Sequence, residues 1–215
     1  MEKERIAEYL HSLEPDGTAF MEGLRAYASE NEIPIVRRET ESFLRTLCVL
    51  RKPESILEIG TAIAYSTLVF AEYCDDIVTL ENYEKRIPLA GENIEKTGNA
   101  GKIKLIGGDA GDTLQTLVSA EKKYDLIFLD AAKGQYLIWL PDIKQLMKHG
   151  SVLIADNVLH HSHNGATWMD WMGQGTRITR NLMHSIVAPT KDLYQGAIFF
   201  EVGHGPAIVD NNVIL

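Results

Sequence analysis

Cysteine is scarce here: Cys48 and Cys74 are the only two in 215 residues. Neither has a second cysteine or a histidine at metal-ligand spacing, so both read as buried small hydrophobes within amphipathic helical segments. Long apolar runs are also missing. No stretch approaches the roughly 18 consecutive apolar residues of a membrane helix. The opening Met1-Glu2-Lys3-Glu4-Arg5 mixes charges where a targeting segment would place a basic stretch before an apolar one. A cytoplasmic location is expected. Basic residues are in deficit, 21 Lys and Arg against 30 Asp and Glu, for a net charge of -9. That balance removes any general attraction for nucleic-acid backbones or anionic lipid and favours a small-molecule partner, although Arg177 and Arg180 leave room for a local basic track. No repeat, low-complexity tract or Gly/Ser linker divides the chain. With 45% hydrophobic and 24% charged residues, it has the composition of one globular domain over residues 1–215 with a real core.

The first 52 residues read as a helical cap. Ile6, Leu10 and Leu13 share one face, Phe20, Leu24 and Tyr27 a second, and Phe43, Leu44, Leu47 and Leu50 a third. Pro34, within Ile33-Pro34-Ile35-Val36, interrupts helix between the second and third segments. Residues 53–215 read as an α/β core. Short β-rich runs, Ser55–Ile59, Ile77–Glu81, Ile103–Ile106, Leu126–Asp130 and Val152–Ala155, alternate with helical stretches, the signature of β-α units and a parallel sheet. Two further runs, Ala197–Val202 and Pro206–Val209, are separated only by Gly203-His204-Gly205, too little for a helical crossover. They are expected to form an antiparallel hairpin at the end of a mostly parallel sheet. The fold class is a three-layer α/β sandwich.

Open α/β sheets bind ligands beyond the carboxyl ends of their strands, and the informative polar residues fall there. After the first strand comes Glu58-Ile59-Gly60-Thr61-Ala62-Ile63-Ala64-Tyr65-Ser66-Thr67, in which the glycine lets backbone approach a ligand and Ser66 and Thr67 begin a helix with free amide donors. Glu81 ends the second strand, where a carboxylate can accept both hydroxyls of a ribose. The third strand leads into Gly107-Gly108-Asp109-Ala110, and Asp109 can accept from an adenine amino group. Each residue also has a plain structural use: Glu58 as a cap of the following turn, Glu81 as a surface charge, Asp109 as a helix N-cap. The absence of G-x-G-x-x-G argues against a nicotinamide cofactor.

The fourth strand ends in Asp130-Ala131-Ala132-Lys133-Gly134-Gln135-Tyr136 and the fifth in Asp156-Asn157-Val158-Leu159. If these strands are neighbours, Asp130, Asp156 and Asn157 converge as a hard, all-oxygen set suited to Mg2+ or Mn2+ and poor for zinc. The plain alternative is that both aspartates cap helices. Lys133 lies close enough to act as a base, provided burial and a nearby cation lower its pKa from about 10.4. Its plain alternative is an ion pair.

At these residues the sequence resembles the cation-dependent O-methyltransferases that include catechol and caffeoyl-coenzyme A methyltransferases. The likeness runs from about Pro34 to the C-terminal strands. Ile33-Pro34-Ile35-Val36, Glu58-Ile59-Gly60-Thr61-Ala62-Ile63, Asp130–Tyr136 and Asp156-Asn157-Val158-Leu159 look most like the bacterial branch that methylates 5-hydroxyuridine in tRNA. The resemblance implies a Rossmann-like methyltransferase fold, S-adenosylmethionine as methyl donor, a metal at Asp130, Asp156 and Asn157, and Lys133 as the base. It also implies Val36, Ser66 and Asp130 around the donor's methionine end, with Glu58 and Gly60 in the binding loop. Glu81 is then on the ribose, and Asp109 and Ala110 are at the adenine. A homodimer is usual in that family. The acceptor expected is a small catechol-like hydroxyl beside a second oxygen, with tRNA 5-hydroxyuridine as the alternative and a cofactor-binding protein without turnover as the rival from another class. Ala64 stands where the family commonly has glycine, which requires a negative φ at that residue. His160–Met172 departs from the family pattern and is expected to shape the acceptor pocket, with Trp168 and Trp171 within it either facing the substrate or anchoring the loop.

Overall fold

Among the described residues two helices precede the sheet, separated by the non-helical stretch around Pro34. The structure, a computed structural model, describes residues 17–156 and four short strands beyond them. Helix α1 (Ala19–Glu30) is N-capped by Thr18, whose hydroxyl accepts from the Met21 amide. It buries Met21, Leu24 and Ala28. The expected face included Tyr27, which is 41% exposed because the true stripe runs one residue to its side. Helix α2 (Arg38–Arg51) buries Leu44 and Cys48, one turn apart, with Phe43 and Leu47 packed at the flanks. Leu50 was expected on this face but is exposed, since six residues from Leu44 place it about 120° off the stripe. The expected helix around Ile6, Leu10 and Leu13 lies outside the described residues.

The β-α units follow in order: β1 (Ile56–Ile59), α3 (Tyr65–Ala71), β2 (Ile77–Glu81), α4 (Ile87–Lys96), β3 (Ile103–Gly107), α5 (Ala110–Ser119) and β4 (Tyr124–Leu129). A 3-10 turn (Lys133–Gln135), α6 (Tyr136–Leu146) and β5 (Met147–Ala155) complete the series. The strands form one parallel sheet in the order β3-β2-β1-β4-β5. All five expected runs are strands, with β4 and β5 beginning earlier than their apolar cores suggested. Strands β1 and β2 are buried along their whole length, as parallel strands covered by helices on both faces must be. Phe70 of α3 meets Phe128 of β4 edge-on at 5.6 Å, joining helix to sheet across the centre of the core. Cys48 and Cys74 are free and buried. Cys74 lies just past α3 instead of within a helix, and burial pushes the Cys48 thiol up to about 11.

By its internal contacts the chain divides into Met1–Asp156 and Asn157–Leu215. In the second unit, β6 (Arg177–Thr179) pairs in parallel with β8 (Ile208–Asp210), and β7 (Leu182–Met183) with β9 (Val213–Ile214). The first strand of the expected hairpin, Ala197–Val202, lies outside the described residues. Among the described residues no helix is long and apolar enough to cross a membrane.

Candidate functional site

Register brings the strand ends together. Ile59 pairs with Leu80 on one side and Leu129 on the other, Glu81 pairs with Gly107, and Leu129 pairs with Ala155. Gly108, Glu81, Gly60, Asp130 and Asp156 therefore follow one another along a single carboxyl edge. Strands β1 and β4 are neighbours although two β-α units separate them in sequence, so the sheet changes winding direction between Gly60 and Asp130, the usual ligand position in such sheets.

At that switch point the backbones nearly touch. Gly60 has φ +108°, and a Cβ there would lie 2.1 Å from the Asp130 carbonyl oxygen, inside contact distance. The Asp130 amide donates to the Ile59 carbonyl at 2.9 Å, and the Gly60 and Thr61 amides both donate to the Leu80 carbonyl. Beneath the loop, Glu58 is wholly buried. Its carboxylate accepts from Ser66 Oγ and Thr79 Oγ1 at 2.6 Å each, and from Thr67 Oγ1. Burial pushes the Glu58 pKa up, the three hydroxyls oppose that, and the nearby Asp130 charge adds to it, leaving a value of about 7. Glu58 thus ties β1 and β2 to the first turn of α3 through side-chain hydroxyls and not as a cap of that turn's amides, and the Ser66 hydroxyl is committed to the same cluster.

Ala64 corrects an expectation. It has φ +69°, left-handed, and is fully buried. Its amide donates to the Thr61 carbonyl at 2.8 Å and its carbonyl accepts the Leu68 amide at 2.9 Å, so the turn and the first helical bond hold it there against an intrinsic cost of about 1–2 kcal/mol. Asn93 of α4 adds a side-chain bond to the Ile63 carbonyl at 3.0 Å.

Glu81 is 7% exposed, not a surface charge. One of its oxygens accepts from the Ala62 amide at 2.6 Å, the other from the Tyr83 amide at 2.8 Å. A carboxylate has about four acceptor positions, so two remain for a ligand. Beside it opens a cleft of about 570 Å³ lined by Asn82, Glu84, Ile87, Gly107, Gly108 and Asp109. Asp109 is the N-cap of α5, accepting from the Asp112 amide at 3.1 Å, with Ala110 buried behind it. Val36 is buried on the cap side, and its carbonyl accepts from Arg25. The same guanidinium donates to the Tyr65 hydroxyl and to Glu41, each at 2.7 Å, and stacks over the Tyr65 ring. Burial alone would raise the Glu41 pKa, but its bonds from Tyr65 and Arg45 and the charges of Arg45 and Arg25 outweigh that and hold it below the ordinary range. Arg25, Glu41 and Tyr65 escaped the sequence reading, because nothing in the spacing pairs an arginine of one helix with a tyrosine 40 positions on.

Asp130 and Asp156 stand on adjacent strand ends: the residues before them are register partners, and the Asp156 amide donates to the Leu129 carbonyl at 2.9 Å. Two carboxylates on adjacent strand ends suit a hard divalent cation that offsets their repulsion. Among the described residues no group of three or more His, Cys, Asp or Glu side chains converges on one point. Asn157 and His160–Met172 lie outside the described residues, as does the side chain of Lys133, whose backbone opens the 3-10 turn. Tyr136, also missed in the sequence, is buried with its hydroxyl against the loop after β4.

Sheet order, switch point and an acidic residue after β2 together define a doubly wound nucleotide-binding fold. The chain belongs to the O-methyltransferase family, whose model matches residues 11–180. It is 33% identical over 121 residues to the catechol O-methyltransferase of Niastella koreensis, covering 54% of this chain and 55% of that one. It is 35% identical over 127 residues to caffeoyl-CoA O-methyltransferase 5 of Nicotiana tabacum, covering 54% and 51%. The chain thus spans about half the length of these curated relatives. In structure it is similar to the O-methyltransferase from Bacillus cereus in complex with SAH, with TM-score 0.67, 28% identity, and 73% and 74% of the two chains covered.

Proposed function

We propose that the protein transfers a methyl group from S-adenosylmethionine to a small phenolic hydroxyl beside a second oxygen, as a divalent-cation-dependent O-methyltransferase. The observation that carries this reading is the single carboxyl edge on which Gly60, Glu81, Asp130 and Asp156 are aligned. The names of the relatives support the acceptor class, and the SAH-bound neighbour supports the donor.

In this reading Glu81 accepts the ribose hydroxyls with the two positions its amide bonds leave open. Asp109 and Ala110 border the adenine, and Val36, Ser66 and Asp130 surround the methionine end. Glu58 and Gly60 shape the loop between them. Asp130, Asp156 and Asn157 would hold Mg2+ or Mn2+, which would supply the Lewis acidity that favours loss of the acceptor's proton. Lys133 takes the acceptor's proton. The acceptor oxygen then forms its bond to the sulfonium methyl as the sulfur–methyl bond breaks in line, releasing SAH. No covalent enzyme intermediate is needed, so rate comes from orientation and from stabilising the oxyanion. The protein acts as a cytoplasmic homodimer in the same reading, a state that light scattering measures directly.

Incubation with methyl-labelled S-adenosylmethionine, Mg2+ and either a catechol panel or tRNA is expected to label the catechols, and excess chelator is expected to abolish transfer. Full transfer in chelator removes the cation from the scheme. Label appearing in tRNA alone removes the small acceptor.

A further inference from the structure

We infer that Tyr136 is a positioning residue for Asp130: one phenol holds the two peptide groups on either side of that aspartate and thereby sets where its carboxylate stands. The inference rests on the functional reading above.

Four observations converge on the Asp130 backbone. Its amide is fixed by the Ile59 carbonyl at 2.9 Å. Its carbonyl lies where a Gly60 Cβ would be at 2.1 Å, so the β1 loop blocks it from behind. The preceding carbonyl, of Leu129, accepts from the Asp156 amide at 2.9 Å and from the Tyr136 hydroxyl at 3.1 Å. The following amide, of Ala131, donates to the same hydroxyl at 3.0 Å, and the Ala131 carbonyl lies 3.3 Å from it as a second acceptor.

The phenol therefore occupies the inside of the turn, taking one hydrogen bond from the chain after Asp130 and giving one to the chain before it. Tyr136 is the first residue of α6 and only 2% exposed, with its ring beside that of Trp139 at 6.4 Å. Its placement is set by the helix and the core, not by the loop it serves. An aspartate carboxylate is a single methylene away from its Cα, so displacement of the flanking peptide planes carries it along. A rigid phenol anchored in the core is thus a means of holding that carboxylate still. Residues that orient metal ligands through hydrogen bonds commonly matter about 10- to 100-fold in affinity or activity.

The test is Mn2+ binding to the purified full chain, followed by electron paramagnetic resonance of the free ion. It compares wild type, Tyr136→Phe, and Ile143→Val, which thins the buried side of the same helix seven positions further on. Tyr136→Phe keeps the ring and removes the hydroxyl. Expected is Mn2+ affinity about 10- to 100-fold weaker in Tyr136→Phe, with a smaller loss of SAH affinity, because Asp130 is one of three cation ligands in this reading but only one of several contacts to the donor. Turnover is expected to recover at saturating Mn2+, so that the loss sits in the cation requirement. Ile143→Val is expected to bind Mn2+ as wild type does. Equal Mn2+ affinity in wild type and Tyr136→Phe overturns the inference, and so does an equal loss in both variants, which would reflect general destabilisation. Absence of Mn2+ binding by wild type overturns the functional reading itself, and the inference with it.

Discussion

Replacing Gly60 by alanine tests the close approach of β1 and β4 at their carboxyl ends, and it does so without any assumption about activity. The added methyl would sit 2.1 Å from the Asp130 carbonyl oxygen and 2.8 Å from its carbon, both backbone atoms of a paired strand. An L-residue at φ +108° also bears strain of about 1–2 kcal/mol. Forcing a methyl into packed backbone adds roughly 1–3 kcal/mol. Against these stands the reduced freedom of alanine in the unfolded chain, about 0.4–1 kcal/mol in its favour. The net expectation is a loss of about 3 kcal/mol, which in a chain of this size lowers Tm by roughly 6–12 °C. Gly91 supplies the contrast. It lies inside α4 with nothing within 4 Å of a built Cβ, so Gly91→Ala should stabilise by about 1 kcal/mol, or roughly 2–4 °C. Urea unfolding with shared m values, checked by calorimetry, measures both. Gly60→Ala matching wild type, or Gly91→Ala falling as far as Gly60→Ala, refutes the steric argument.

Glu58 makes stability depend on pH. Its folded pKa of about 7 stands above the ordinary 4.5, so its contribution is complete below about pH 4.5 and is lost as pH rises through 7. The ligand-free protein should lose up to roughly 3 kcal/mol from this group across that window, at 1.36 kcal/mol per unit. Glu58→Gln should flatten the slope, and identical slopes in the two proteins would contradict the assignment. Glu81→Ala removes the carboxylate proposed to accept two ribose hydroxyls and should weaken SAH binding by about 10- to 100-fold in calorimetry. Unchanged binding places the ribose elsewhere. Lys133→Ala should lower kcat by about 10²–10⁴-fold with SAH affinity nearly intact, and equal losses in both would make Lys133 a binding residue. Alanine at Trp168 and Trp171 should reorder rates among catechols in a competition assay, and an unchanged ranking makes that segment a plain cover.

The alternation of β-rich runs with helical stretches was legible because buried parallel strands are continuous apolar runs of β-branched residues, as in Ile77-Val78-Thr79-Leu80. The polar residues that follow such runs were legible for the same reason: a run that ends must meet solvent or a ligand. Finer detail failed where a single turn of rotation decides exposure, as at Tyr27 and Leu50. It failed again at Ala64, whose left-handed backbone is imposed by the turn around it instead of by its own side chain.

The sequence by itself determined which residues stand at strand ends and what chemistry they carry: the carboxylates of Glu58, Glu81, Asp130 and Asp156, and a glycine at position 60. Those are properties of residue type and local period, which neighbours along the chain set. Strand order is different in kind. That β1 pairs with β4, that Leu129 faces Ala155, and that Glu58 is sealed under three hydroxyls while Glu81 reaches the edge were decided only by folding. Each joins segments far apart in sequence, and the partner is chosen by burial of both sheet faces and completion of backbone hydrogen bonds over the whole domain. Tyr136 shows the division at short range. It lies six positions after Asp130, yet only the docking of α6 on the core turns its hydroxyl back onto the loop.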